Sequence, residues 1–431
     1  MNLISIKKLI FFYLILLFLS FNNIYSQIFT GNTSSYIYNW KVQDQQWGSS
    51  SQLRWYQSLI LNVKDIKNPN FSIYTNTRYT KDFLSDKLYN DNLKIQYFYG
   101  EIKNIYRTLD LKFGRQYVYS GVGIGSIDGI MSKVKLKKIA DFEIYGGVPV
   151  SWYNDLKIQK WNENRMYGFR VVPRMFLKTL FGISYTRKFN KPIPYNIPGK
   201  YTFKKWNITS DAMDLFGVDF YTKLSEKIDA YGRIDFDMTF NDIYRGNFYF
   251  NTPLKEKFSL SAEYYFRKPR IYSNSIFSVF AQSDNHEYWM RIYYNVKKNL
   301  NISGGIAVVE YSDDRGFRYN LNLNTEYVNI GYNRTSGYSG RLDGLTGSVN
   351  YPIRKNIWLR SGSNIMRYRL FESLEDFKNL LSTFVGVHMI PKKSFTLDIE
   401  AQGLHNYNYT SDFRILFQSN YWFSFRKSEK R

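Results

Sequence analysis

The sequence predicts an all-β protein, a transmembrane antiparallel up-and-down β-barrel of about 20–22 strands, on three observations. Apolar and polar residues alternate with period two along most of the chain. Short turns rich in Lys, Asn and Pro recur between longer polar segments. Beyond the N-terminus no apolar run approaches the roughly 20 residues that a membrane helix needs. Only helices and closed barrels satisfy backbone polar groups across a bilayer.

The N-terminus comes first. Lys7 and Lys8 precede the apolar run Leu9–Phe21, and Ser26 stands before Gln27. A positive start, a short apolar core and a small residue at the cut form a secretory signal peptide. The expected division is therefore 1–26 signal peptide and 27–431 barrel domain, cleaved near Ser26–Gln27. An uncleaved N-terminal anchor is the alternative. The chain has no Cys. That closes the lipoprotein route, thiol catalysis and Cys-based zinc sites, and it suits an oxidising compartment without a disulfide framework.

Alternation carries the barrel. Phe317, Tyr319, Leu321 and Leu323 fall opposite Arg318, Asn320, Asn322 and Asn324. Met290, Ile292, Tyr294 and Val296 oppose Arg291 and Asn295, and Phe395, Leu397 and Ile399 oppose Asp398 and Glu400. Period two means strands with one apolar and one polar face. A sandwich would produce it as well. Aromatics make up 19% of the chain, with 39 Tyr. In a soluble core so many hydroxyls would each need a partner, whereas a barrel places them in girdles at the membrane interfaces.

The punctuation sets the strand number. Short turns are expected at 65–70, 101–107, 136–141, 173–178, 224–229, 253–258, 296–300, 352–357 and 390–395, with a weaker one at 326–329. Longer segments lie at 84–91, 118–127, 148–163, 190–210, 270–286 and 406–412. Short periplasmic turns and longer extracellular loops are the outer-membrane arrangement, and ten turns imply about 22 strands under the even-number rule. Counts of 16–18 follow if some of these patterns are loops. Segment 371–381 has helical spacing at Leu374, Phe377 and Leu381, with Ser373 as a cap, against an extended strand start. The stretch Gln27–Ser34 is too short to make a plug domain, so an unplugged barrel is expected.

In such a barrel the inward polar faces decide function. Charged groups at the lipid midplane cost about 2–4 kcal/mol, so they turn inward. The candidate lumen-lining set is Arg54, Lys94, Lys112, Arg170, Arg233, Asp235, Asp237, Glu263, Arg267, Arg291, Arg318, Arg360, Asp398, Glu400 and Arg414, with Asp110 and Glu287 on the same parity. Close opposite charges, such as Arg233 with Asp235 and Glu263 with Arg267, brace the wall. The remainder is a cationic surplus that favours anions. The formal charge of +23 says little by itself, because many Lys sit in turns. For that reason, and because the chain is exported, nucleic acid is not an expected partner.

Two segments resemble known barrels. The C-terminal run Arg414–Phe425, with Ile415, Phe417, Tyr421, Phe423 and Phe425 on one parity, resembles the final strand that the barrel-assembly machinery reads; Arg426–Arg431 extends beyond it. Gly114-Arg115-Gln116, followed by Gly121, Gly123, Gly125 and Asp128-Gly129, resembles a hairpin of alginate-export-type and phosphate-selective porin barrels. That resemblance implies that Arg115 and Gln116 stand at the pore mouth. The plainer reading of those glycines is a tight loop.

No nucleophile elbow, phosphate loop or metal-ligand spacing appears, and His286, His388 and His405 are scattered. The expected function is a non-enzymatic outer-membrane channel for passive diffusion of small hydrophilic, anionic solutes, without metal or cofactor. Its partners are outer-membrane lipid and the barrel-assembly machinery, and loops 148–163, 190–210 and 270–286 narrow it. The alternatives are a surface binding or secretion-partner barrel and, behind it, an outer-membrane hydrolase using His286 or His405.

Overall fold

The computed structural model describes residues 27–427, apart from 45–47, 67–69, 85–91, 138, 152–155, 175–177, 192–194, 199–202, 207–212, 269–283, 313, 338–339, 370–375 and 408. The strands are β1 (Gln27–Asp44), β2 (Gly48–Lys64), β3 (Phe71–Asp82), β4 (Asn92–Ile105), β5 (Leu109–Ser120), β6 (Gly123–Leu136), β7 (Ala140–Pro149) and β8 (Asn164–Pro173). Then come β9 (Thr179–Asn190), β10 (Tyr195–Pro198), β11 (Phe203–Trp206), β12 (Met213–Ser225), β13 (Ile228–Asp237), β14 (Asp242–Lys255), β15 (Phe258–Arg267) and β16 (Asn285–Lys297). The last eight are β17 (Leu300–Tyr311), β18 (Arg315–Thr325), β19 (Val328–Ser336), β20 (Arg341–Arg354), β21 (Ile357–Arg369), β22 (Lys378–Lys392), β23 (Phe395–His405) and β24 (Tyr409–Lys427).

All but β10 and β11 form one 22-stranded sheet in which chain neighbours pair antiparallel. β24 pairs along β1, with Phe29 opposite Phe425 and Trp40 opposite Arg414, so the sheet closes on itself. Closure gives every strand of the ring a partner on both sides over at least part of its length, as a spanning wall requires. β10 and β11 make a separate small hairpin in the β9–β12 connection.

Both described termini lie at one end of the barrel. Connections at that end hold two to six residues, from Glu226–Lys227 to 65–70, while those at the far end reach 22 residues at 191–212. The ten polar turns expected from sequence all fall at the terminal end. The one read at 101–107 is displaced: β4 runs on to Ile105 and the turn is Tyr106–Thr108, with Tyr106 and Arg107 at φ 49° and 65°. The strand count is the upper value of the expected range.

The alternation does what period two allows. On β18 the exposed Phe317, Tyr319 and Leu321 share one face, and Arg318, Asn320 and Asn322 the other. The register carries this division from strand to strand. Closure turns the polar face inward and the apolar face, studded with exposed Ile, Leu, Phe and Tyr, outward. On β24, Phe413, Ile415, Phe417, Tyr421 and Phe425 are exposed on the outer face. Pairing with β1 continues through Arg426 and Lys427, so the basic extension begins inside the strand.

Three expectations need correction. Segment 406–412 is mostly strand, because β24 starts at Tyr409. The helical reading of 371–381 fails at its C-terminal end. Lys378–Leu381 pair with Ile365–Tyr368 of β21, and a ladder of sheet hydrogen bonds outweighs a few helically spaced apolar residues; residues 371–375 lie outside the described residues.

The third correction matters most. Segment 118–127, expected as a long outer loop, is a β-hairpin with a two-residue turn at Gly121–Val122. β5 and β6 stay paired up to Ser120 opposite Gly123. Their outer neighbours let go much earlier: β4 pairs with β5 only as far as Arg115, and β7 with β6 only as far as Ile127. Beyond those points the hairpin leaves the wall. Gly114 at φ 116°, Gly121 at φ 59° and Gly125 at φ 155° take backbone conformations that side chains disfavour, two at the departure and one in the turn. The tip meets Ser184 of β9 and Arg233 of β13, both on the inward face, and passes over β7 and β8 to reach them. From Arg115 to the tip is about 20 Å at the usual strand rise. The hairpin therefore lies inside the barrel.

Candidate functional site: the barrel interior

Residue chemistry explains why the hairpin folds inward. Its wall-facing side carries Val118 and Ile127, which pack with Met131, Tyr145 and Met166 into a fully buried cluster. Val122 at the tip and Leu215 of β12 are buried beside it. An apolar patch on the inside of a water-filled barrel would be costly at about 25 cal/mol per Å², and the hairpin covers it. Polar anchors fix the register. Val122 N–H donates to Ser184 Oγ at 3.1 Å, and Arg233 Nη2 donates to the Gly121 carbonyl at 2.9 Å. Ser120 Oγ donates to Glu143 at 2.7 Å, and Tyr145 and Thr186 share a hydroxyl–hydroxyl bond. A Cβ at Gly123 would strike the Tyr145 hydroxyl, so the closeness of the dock depends on that glycine.

The Arg233 anchor is itself clamped. Asp235 is fully buried and accepts from Arg233 Nε at 2.8 Å and from the Arg245 guanidinium of β14. One strand away, Arg170 of β8 bonds Asp219 of β12 at 2.6 Å. Removing one partner of such a buried group leaves uncompensated charge. Asp235→Asn is expected to cost about 3 kcal/mol and to free the hairpin tip. A lowered midpoint of heat-modifiable mobility on gels, together with larger current fluctuation, checks both effects; an unchanged midpoint would mean that the clamp contributes nothing.

At the root of the hairpin, Arg115 bonds both carboxylate oxygens of Asp128, at 2.8 and 2.9 Å, and donates to the Ile95 carbonyl at 3.1 Å. It is 6% exposed, and Gln116 is buried with its Nε2 on the Gly129 carbonyl at 3.2 Å. The Gly-Arg-Gln motif thus sits where the hairpin departs from the wall. The opposite side of the hairpin presents Tyr117, Tyr119 and Ile124, all exposed, to the open part of the lumen.

In the register the residues of the candidate lumen set fall on one parity, the one opposite to the exposed Phe317, Tyr319 and Leu321. Arg54 bonds Asp82 at 2.9 Å and covers Trp40. Lys112 reaches Glu101 at 3.8 Å, and Asp110 takes Lys135 at 2.5 Å. Arg291 bonds Glu263 at 2.7 Å over the Trp289 ring, and Arg318 bonds Glu287 at 2.7 Å. Glu263 therefore pairs across strands rather than with Arg267, which lies over Tyr265. Arg360 stands 3.5 Å from Asp398, which also bonds His388 at 2.7 Å. Glu400 accepts from Gln402, and Arg414 bonds Asp412 and the Tyr38 hydroxyl. Asp237 is buried and accepts from the Thr239 amide.

Lys94 stands directly opposite Arg78, a residue that sequence reading passed over. Among the described residues neither has a carboxylate within 4 Å, and Arg78 Nε is buried without a hydrogen-bond partner. Arg245 and Arg267 form a second like-charge pair in register, and among the described residues only Arg245 is on a carboxylate.

The histidines are dispersed. His286 is near the far end of β16 with Nδ1 on the Tyr264 hydroxyl at 2.9 Å, and His405 ends β23. No group of three His, Asp or Glu side chains among the described residues could hold a metal. Of the loops expected to narrow the lumen, 270–283 and parts of 148–163 and 190–210 lie outside the described residues. The obstruction among the described residues is the β5–β6 hairpin.

No family model matches the chain, and no curated protein is similar to it in sequence. Among solved structures, one of the Pseudomonas aeruginosa ferric enterobactin receptor with enterobactin aligns at TM-score 0.59 and 10% identity, over 91% of this chain and 81% of that one. Another structure of that receptor aligns at TM-score 0.57 and 10% identity, over 91% and 80%. Acinetobacter baumannii OccAB4 aligns at TM-score 0.43 and 10% identity, over 94% and 100%. At such identities a likeness concerns the fold, and the two receptor alignments agree with the closed sheet described above: the chain has an outer-membrane-type β-barrel fold.

Proposed function

We propose that the protein is an outer-membrane porin-like channel, exported through a cleaved signal peptide at 1–26, for passive diffusion of small hydrophilic, anionic solutes. It works without enzymatic chemistry, metal or cofactor. The observation that carries this reading is the inward hairpin beside two like-charge pairs. A 22-stranded barrel encloses a lumen wide enough to need filling, and the hairpin fills one side of it. That leaves a reduced passage rather than an open hole.

The anion preference rests on Arg78 with Lys94 and on Arg245 with Arg267. Like charges directly opposite each other on neighbouring strands are destabilising. Retaining them without a full complement of carboxylates suits a passage that draws anions, as rings of Arg and Lys do in anion pores. Ion pairs elsewhere around the wall brace it and leave those sites as the cationic face. Arg115 and Gln116 act on the hairpin root, holding the constriction rather than touching solute.

Purified protein in a planar bilayer tests the reading. Stable conductance steps and a reversal potential displaced towards the anion in a potassium chloride gradient are expected. A cation-directed potential would overturn the selectivity. Absence of steps from correctly closed protein would overturn the channel and favour the surface binding or secretion-partner barrel.

A further inference from the structure

The inner wall across the lumen from the hairpin has a different chemistry. The hairpin docks on β7–β9, β12 and β13, and β19–β22 stand about half-way round the ring from it. On the inward parity neither β19, from Asn329 to Thr335, nor β20, from Leu342 to Asn350, carries a charged side chain. Elsewhere the wall is laced with ion pairs, from Arg54–Asp82 to Arg318–Glu287.

A recess of about 330 Å³ lies in this uncharged sector, within the range of about 300–1,000 Å³ usual for small-molecule sites. One register line crosses it: Asn322 of β18 stands opposite Gly331, Gly331 opposite Thr346, Thr346 opposite Asn364, and Asn364 opposite Ser382 of β22. The small inward residues make the hollow; a Cβ at Gly331 would stand 2.9 Å from Asn322 Oδ1. Phe384 bounds it, its half-buried ring lying across Gly362 on the lumen side.

Two observations point to a ligand. Hydrogen-bonding capacity converges here unspent: among the described residues the side chains of Asn322, Asn324 and Asn329 make no hydrogen bond, and Asn364 Oδ1 is buried without a donor. Amides elsewhere on the wall are tied, as Asn76 is to Gln96 and Gln402 to Glu400. A buried acceptor without a donor costs stability, and a bound hydroxyl relieves it. The second observation is the ring of Phe384, an apolar group turned to the watery side of the wall beside those amides. An amide carries donors and an acceptor side by side and so matches neighbouring hydroxyls. The C–H face of a sugar ring packs on the face of an aromatic one.

We propose that this recess binds an uncharged, polyhydroxylated solute, a neutral oligosaccharide, with Phe384 under a sugar ring and Asn322 and Asn364 on its hydroxyls. The site goes beyond the anion passage and uses none of Arg78, Lys94, Arg245 or Arg267. The hairpin narrows the lumen from the opposite side, which keeps a passing solute to this wall.

Saturation-transfer NMR on the full barrel in a sugar-free detergent tests it, with maltotriose, cellotriose and xylotriose as neutral probes and citrate as the anionic one. Wild type is expected to transfer saturation to the ring protons of at least one trisaccharide. Phe384→Leu keeps an apolar cover over Gly362 and removes the ring. It is expected to cut that transfer at least about threefold, as is Asn322→Ala with Asn364→Ala, the scale of one or two neutral contacts. Phe384→Tyr, which keeps the ring, is expected to retain the transfer. Heat-modifiable mobility confirms that each variant is closed. No transfer from wild type to any of the three sugars, or undiminished transfer in either weakened variant, overturns the proposal. So does displacement of the sugar by citrate, which would mark a general solute site. Transfer without conductance would fail the channel reading alone, and anion-selective conductance without transfer would fail this one alone.

Discussion

Excising Gln116–Ser126 and joining Arg115 to Ile127 through a short Gly-Ser turn is expected to raise single-channel conductance on the order of threefold, since lumens of this strand number are wide once emptied. The excision spares the wall. β4 still pairs with β5 as far as Arg115, and β6 with β7 from Ile127, so the ring of strand pairs is uninterrupted. It also keeps the bidentate Arg115–Asp128 pair that closes the hairpin root. What is lost is the lid over Met131, Tyr145, Met166 and Leu215. Their exposure lowers stability without opening the barrel, because the strands remain hydrogen-bonded on both sides. Planar-bilayer recording checks the current, and heat-modifiable mobility checks closure. Unchanged conductance from closed protein would mean that the hairpin does not limit the passage.

Reversing the cationic pair is expected to have the other large effect. Arg78→Glu with Lys94→Glu places two carboxylates where two cations face each other in register. The anion-over-cation permeability ratio should fall about tenfold, as expected when field-focusing charges in a narrow polar passage change sign. The same double change at Lys137 and Lys298, in terminal-end turns, should leave the ratio almost unmoved. Neither Arg78 nor Lys94 is tied to a carboxylate among the described residues, so their replacement breaks no ion pair among these. A selectivity indifferent to the exchange would transfer the anion preference elsewhere or remove it.

Much of this fold was legible in the residues because membrane barrels write it locally. Phe317, Tyr319 and Leu321 against Arg318, Asn320 and Asn322 state which face meets lipid, and Lys-Asn-Pro clusters state where the chain reverses. Those signals locate ten turns, and therefore 22 strands, without any long-range information. Inward parity follows too, since a charged residue between apolar neighbours has one side available.

The inward hairpin was less legible. Gln116, Val118 and Ser120 alternate with Tyr117 and Tyr119 as they would on any spanning strand, so periodicity continues through the point of departure. The signal that could have marked it is the density of glycine at 114, 121, 123 and 125, combined with apolar Val118 and Ile127 on what would be the watery side. Pairing partners were also hidden. Glu263 chooses Arg291 over Arg267 because Arg291 stands on the neighbouring strand, diagonal to it and opposite Ser261, a fact fixed by turn geometry. The recess residues at 322, 331, 346 and 364 are scattered in sequence and become neighbours only when β18 to β21 align. Lys378–Leu381 shows the converse error, in which local helical spacing yields to pairing with the preceding strand, β21.

The position of the hairpin tip can be measured directly, because the chain has no native Cys to interfere. Val122 at the tip touches the site where a Gly217 side chain would stand on β12. In the double variant Val122→Cys with Gly217→Cys, mild oxidation of intact membranes should form an intramolecular disulfide in most molecules, seen as a shift in gel mobility that reductant reverses, with wild-type conductance retained. If no disulfide forms and an impermeant maleimide labels both cysteines from outside, the hairpin stands out of the barrel and does not narrow the lumen.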